Sequence, residues 1–165
     1  MKRRSLVSLC VALVSSTAVP VWPEVRPVIR SQINVSSRAA LEGTLPGAAR
    51  KLADPECARV LSDFSDASGH RLQENLGPLQ QNAPGYLGLI IFAEGHQRPA
   101  CARSTTLAFT HPGSRVVYLC PRFARASEGY RENILIHEML HSLGLEENPP
   151  SSNEITRRVR KRCGS

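Results

Sequence analysis

No two cysteines of this chain stand in a CxxC pair. That spacing is the usual signature of a cysteine-built zinc site, so a thiolate metal centre is not expected. No apolar run is long enough for a bilayer, which needs about 20 residues; the longest candidate, Leu6 to Val14, breaks at Ser15 and Ser16. No serine sits in a GxSxG context, which leaves a nucleophile-elbow hydrolase without its turn. No internal repeat is apparent. The basic residues near the C-terminus have no aromatic residues interleaved with them, so a stacking surface for nucleic acid is not expected.

Charge is also scarcer than it first looks. The formal net charge is +7. The N-terminal stretch MKRRSLVSLCVALVSSTAVP, with Lys2, Arg3 and Arg4 ahead of the apolar run and small residues at Ser16-Thr17-Ala18, reads as a secretory signal peptide over residues 1–18. Setting its three bases aside lowers 21 basic residues to 18, against 14 acidic ones. Five of those 18 are Arg157, Arg158, Arg160, Lys161 and Arg162, so the body is near neutral and the tail is basic. A solvated helix face accounts for the tail. After cleavage no membrane anchor remains, and the product is expected to be secreted or periplasmic.

Cys10 leaves with the signal peptide. The four that remain, Cys57, Cys101, Cys120 and Cys163, are an even number in an exported chain, which predicts two disulfides. Three pairings are possible. Cys101 with Cys120 across a local hairpin, and Cys57 with Cys163 between an early and a late helix, is the favoured one.

A chain of 165 residues fits one domain with a core of ordinary size. Residues 19–50, with Pro20, Pro23, Pro27 and Pro46 and no sustained apolar period, read as a leader or loosely packed extension. The first helix is expected after Asp54 as N-cap and Pro55 at the first position, with Cys57, Val60, Leu61 and Phe64 at helical spacing. A shorter helical piece follows at Leu72, Leu76 and Leu79. Residues 85–95, GYLGLIIFAEG, read as a buried strand, and TTLAFT and RVVYLC as two strands joined by a turn at His111-Pro112-Gly113-Ser114. After Pro121 the period is helical again, with Ser127 as cap, an apolar body from Ile134 to Leu143, and a stop at Gly144. Ser151 and Glu154 resemble a capping box opening a last helix. The expected fold is α+β, with a sheet of about three strands packed against one central helix, flanking helices and two disulfides, over residues 51–165.

That central helix carries HEMLH. Histidines four apart lie one above the other on a helix, so His137 and His141 can present two nitrogens to one point. Glu138 is rotated by about 100°, near enough to act on a water bound there but too displaced to be a ligand. A zinc hydrolase needs this division. Three protein ligands leave a fourth position for water, whose pKa falls to about 7, and a carboxylate takes its proton.

His137, Glu138, His141 and Gly144 together resemble the HExxHxxG pattern of the zincin metallopeptidases, in its metzincin-like form. The resemblance implies one catalytic zinc, a peptide or protein substrate, Glu138 as general base, and a third ligand three residues after the glycine. Here that position is Glu147, and a carboxylate is an acceptable ligand. The Met-turn of metzincins has no counterpart, since the only methionines are Met1 and Met139. Other zincins take a downstream glutamate, which makes Glu154 a rival to Glu147; Glu146 and Asn148 are weaker candidates. Tyr130, seven residues before His137, is placed to border the cleft, whereas Tyr118 and His111 read as strand and turn residues. The alternative to a peptidase is an exported binding protein that keeps zinc without catalysis.

Overall fold

The computed structural model describes residues 28–29 and 32–164. The signal-peptide stretch 1–18 lies outside them. The elements in chain order are β1 (Val28–Ile29), α1 (Val35–Ala53), α2 (Pro55–Ala58), α3 (Ala83–Leu87), β2 (Ile91–Glu94), β3 (Ala108–Phe109), β4 (Val116–Leu119), α4 (Glu128–Ser142) and α5 (Ser152–Cys163). Short 3-10 turns at Arg59–Ser62, Glu74–Leu76, Pro99–Ala102 and Phe123–Arg125 join them. The fold is α+β, and α4 is its central helix, packed against α1, α5, β3 and β4.

The sheet runs in the order β1-β2-β4-β3. β1 with β2 and β2 with β4 are parallel, and β3 with β4 is an antiparallel hairpin. Phe92, Val117 and Leu119 turn their side chains into the core, together with Leu135, Ile136, Met139 and Leu140 of α4. Both predicted disulfides are formed, Cys57–Cys163 and Cys101–Cys120. Among the described residues no helix is long and apolar enough to cross a membrane.

Three expectations are corrected. Residues 35–50 are not loosely packed: they are most of α1, whose Leu41, Leu45, Ala48 and Leu52 are buried. The stripe escapes a reading by apolar period because serine, glycine and alanine fill much of the helix and Pro46 stands inside it. Gly47 lies at the contact with α4, where a Cβ would displace the Glu132 carboxylate. The helix at Asp54 is therefore the second, and it is one turn long before it tightens to 3-10 geometry. Within GYLGLIIFAEG only Ile91–Glu94 is strand; Asn82, whose side chain accepts from Gly85 N–H, and Pro84 in the first turn start α3 instead. The sheet gains β1 as a fourth strand, whose parallel pairing is non-local and leaves no turn signal.

The last helix is fastened at its far end as well. Arg162 donates to both oxygens of Asp63 at 2.8 Å, and its guanidinium also meets Glu56. Arg158 lies 3.5 Å from Asp63. The Arg162 hydrogen bonds hold the Asp63 carboxyl below its ordinary value of 3.8.

Two outcomes follow for stability. Leu41→Ala and Leu52→Ala are each expected to cost about 2 to 5 kcal/mol in denaturant unfolding, while Val35→Ala, at an exposed position of the same helix, stays within about 0.5 kcal/mol. Equal small losses would return α1 to the status of an extension. For pH, a depressed folded-state pKa means that the Asp63 contribution is present above pH 3.8 and is lost as pH falls through the lower folded value. Asp63→Asn should flatten that acid limb of the stability curve, measured by denaturant midpoints across pH 2 to 7, and an unchanged limb would refute the assignment.

Candidate metal centre

α4 follows Ser127, whose side chain makes no capping bond, and is buried along its whole second part, from Glu132 to Ser142. Its C-terminal carbonyls are all answered. His141 C=O accepts from Gly113 N–H in the β3–β4 turn and from Gly144 N–H, both at 2.9 Å. Ser142 C=O accepts from the Tyr86 hydroxyl at 3.1 Å, and Leu143 C=O from the Asn75 side-chain amide at 2.9 Å. Gly144 adopts φ +106°, a conformation that favours glycine, and a Cβ there would stand 3.1 Å from Asp66 Cβ. The chain turns there and brings Glu147 back over the two histidines.

His137 Nε2 and His141 Nε2 are 3.0 Å apart, and Glu147 Oε1 lies 3.3 Å from His141 Nε2 and 3.9 Å from His137 Nε2. These three form a group that could hold a metal ion. Two donors each about 2.0 to 2.1 Å from a tetrahedral centre stand about 3.3 Å from one another, so the observed separations suit such an ion. Glu154 is exposed in the first turn of α5, where its N–H meets the Ser151 cap at 3.3 Å, and it is not in the group. Glu146 is exposed as well.

The outer nitrogens decide what the inner ones can do. His141 Nδ1 is 2.7 Å from Leu145 C=O, and a carbonyl only accepts, so Nδ1 carries hydrogen and Nε2 of the neutral ring has a lone pair. His137 Nδ1 is 3.0 Å from Thr156 Oγ1 on α5, which can accept in the same way. A proton on His137 Nε2 would bridge the two rings, while the Ser152 hydroxyl meets the Glu147 carboxylate. A metal ion could be shared by all three ligand atoms.

Burial lowers the His137 pKa, favouring the neutral ring that ligation requires. Glu147 is held down to about 2, first by the His137 imidazole and then by the Ser152 hydroxyl and the His141 ring, against its partial burial. Glu138 behaves oppositely: burial first, and the Glu147 charge second, push its carboxyl up to about 8, with the Thr110 main chain opposing. Glu138 Oε2 is buried and has no hydrogen-bond partner.

A groove of about 630 Å³ opens over these residues, walled by β3 with its flanks on one side and by α4 and α5 on the other. Tyr130 lines it. Tyr118 and His111 do not: Tyr118 stacks on Phe109 at 5.0 Å beneath the Arg98 guanidinium, and His111 meets the edge of the same Phe109 ring. Sequence reading missed Thr156, Thr110, Gly113, Tyr86 and Asn75, all of which reach the site through long-range packing. Only Gly113 carried a signal, in the turn His111-Pro112-Gly113-Ser114. No family model, curated protein or solved structure matches the chain.

Competition titration with zinc tests the ligand set. His137→Ala and His141→Ala should abolish stoichiometric binding, Glu147→Ala should weaken it at least about tenfold, and Glu154→Ala should leave it unchanged. A larger loss for Glu154→Ala than for Glu147→Ala would displace Glu147 from the set.

Proposed function

We propose that the protein is an exported zinc metallopeptidase. Two imidazoles and one carboxylate are a donor set that zinc accepts in catalytic sites, where three protein ligands leave a position open. The observation that carries the reading is Glu138: a buried carboxylate with an unpartnered oxygen, next in sequence to one ligand and opening on the same groove. A purely structural site has no use for it. Bound zinc would supply Lewis-acid chemistry, acidifying water and polarising the scissile carbonyl.

Burial raises the Glu138 carboxyl to about 8, so it would act as the base in its ionised form, taking the proton of the attacking water and returning it to the leaving amine. Thr156 and the Leu145 carbonyl keep His137 and His141 in the tautomers and ring orientations that face the groove. β3 is an edge strand that lines the groove, so its unpaired main-chain groups are available to an extended peptide. The HExxHxxG resemblance to zincins favours the same chemistry. Two disulfides support an oxidising compartment, as does the signal-like start of the sequence.

Glu138→Gln should retain one zinc and lose at least about a hundredfold in chelator-sensitive hydrolysis of an unfolded protein substrate. Zinc-loaded protein that cleaves no peptide, or a Glu138→Gln variant that cleaves as well as its parent, would end the peptidase reading.

A further inference from the structure

The basic residues of α5 face two ways. Arg158 and Arg162, four apart, turn to Asp63 and Glu56. Arg157, Arg160 and Lys161 follow Asn153 and Thr156 at helical spacings of three and four, so these five share a different face. All three of those cations are exposed, and among the described residues no carboxylate lies within ion-pair distance of them.

This face is continuous with the metal centre. Tyr130, Asn153 and Thr156 line the groove that holds His137, His141 and Glu147, and the same three line an adjoining depression with Arg157, Arg160 and Lys161. Tyr130, at 41% exposure one of the few large exposed apolar side chains, stands at the junction. A fourth cation, Arg103, which has no ion-pair partner among the described residues, lines the metal groove itself. Among the described residues, the carboxylates lining these two surfaces are Glu138 and Glu147 of the candidate metal centre.

We propose that the groove and the α5 shelf together select peptides with acidic residues flanking the bond held at the metal centre. The assignment of that peptide as a substrate rests on the peptidase reading above; the binding preference does not. A chain lying across the metal group and over Tyr130 reaches the shelf with its flanking side chains, where three cations unpaired among the described residues favour Asp and Glu. One aromatic ring is too few for a series of stacked bases, which makes a peptide the better-fitting anion. Exposed ion pairs are individually weak and screened by salt, so the preference is moderate and ionic-strength dependent.

The test uses zinc-loaded Glu138→Gln protein, which separates binding from turnover. Two fluorescent peptides share a central sequence and carry either Asp/Glu or Lys/Arg flanks. By anisotropy at low salt, the acidic peptide should bind at least about tenfold tighter, and the difference should shrink to about twofold at 0.5 M salt. Adding R157E/R160E/K161E should invert the preference, and R157Q/R160Q/K161Q should abolish it, with zinc stoichiometry retained in both as the check on folding. Equal binding of the two peptides, or a preference that survives charge reversal, overturns the proposal. So does a charge reversal that removes binding to anionic vesicles and leaves peptide preference intact. Failure of the peptidase reading shows separately, as absent chelator-sensitive cleavage by the Glu138 protein while the binding preference stands.

Discussion

The structure depends on the burial of α4. Every residue from Glu132 to Ser142 is buried, although six of these positions carry polar or charged side chains. In such a place each polar atom must find a partner or destabilise the fold. Glu132 pairs with Lys51 at 3.1 Å, Asn133 accepts from Lys51 and donates to Gly164 C=O, and Ser142 donates to Met139 C=O. Of these six residues only Glu138 keeps a buried side-chain oxygen without a partner, and it lines the groove. A helix that spends its polar tolerance at one point has been shaped around that point.

Holding α4 still requires clamps from distant parts of the chain. On one side α1 comes close enough that a Cβ at position 47 would displace the Glu132 carboxylate, and Arg131 donates to the buried Thr44 at 2.8 Å. On the other side α5 is fixed to the region of residues 56–63 by the Cys57–Cys163 disulfide and by the Arg162 bonds to Asp63. The consequence reaches the site, because α5 carries Thr156, and Thr156 stands behind His137. A disulfide and an ion cluster at one end of the helix therefore restrain an imidazole near its other end. The paired and unpaired arginines of α5 are distinguished by face and not by composition, which is why a count of basic residues could only describe a basic tail.

What was legible in the sequence is what is local or compositional. The i, i+4 histidines, the Gly144 turn, the Ser151 cap and an even set of cysteines each need only a short stretch of chain or a count, and the β3–β4 hairpin announces its own turn. α1 was hidden because its buried stripe is narrow, its other faces are small or polar, and Pro46 interrupts the pattern a reader looks for. Residues 85–95 were misjudged in their first half because Asn82 and Pro84 outweigh the apolar run in starting a turn of helix. β1 pairs with a strand some 60 residues away, and Thr156, Asn75 and Tyr86 reach α4 across 19, 68 and 56 residues. No local pattern encodes such partners.

The choice between Glu147 and Glu154 shows how one local conformation can decide a site. When α4 ends and Gly144 takes its positive φ, the next residue, Leu145, directs its carbonyl back to His141 Nδ1 at 2.7 Å. That bond fixes the tautomer of His141 and aims its other nitrogen at the groove. Two residues farther on, the same reversal sets the Glu147 carboxylate 3.3 Å from that nitrogen. Orientation of the second histidine and placement of the Glu147 carboxylate beside it are thus one event in the chain. Glu154 begins a separate helix whose placement is governed by the disulfide and by Asp63, and its main chain is already engaged by Ser151. For Glu154 to serve, α5 would have to rotate, moving Thr156 from His137 and the buried Ile155 and Val159 from the core. A side group on a short turn can adjust to an ion at little cost, whereas a helix fixed by a disulfide and by Asp63 cannot, and this asymmetry favours the residue nearer to Gly144.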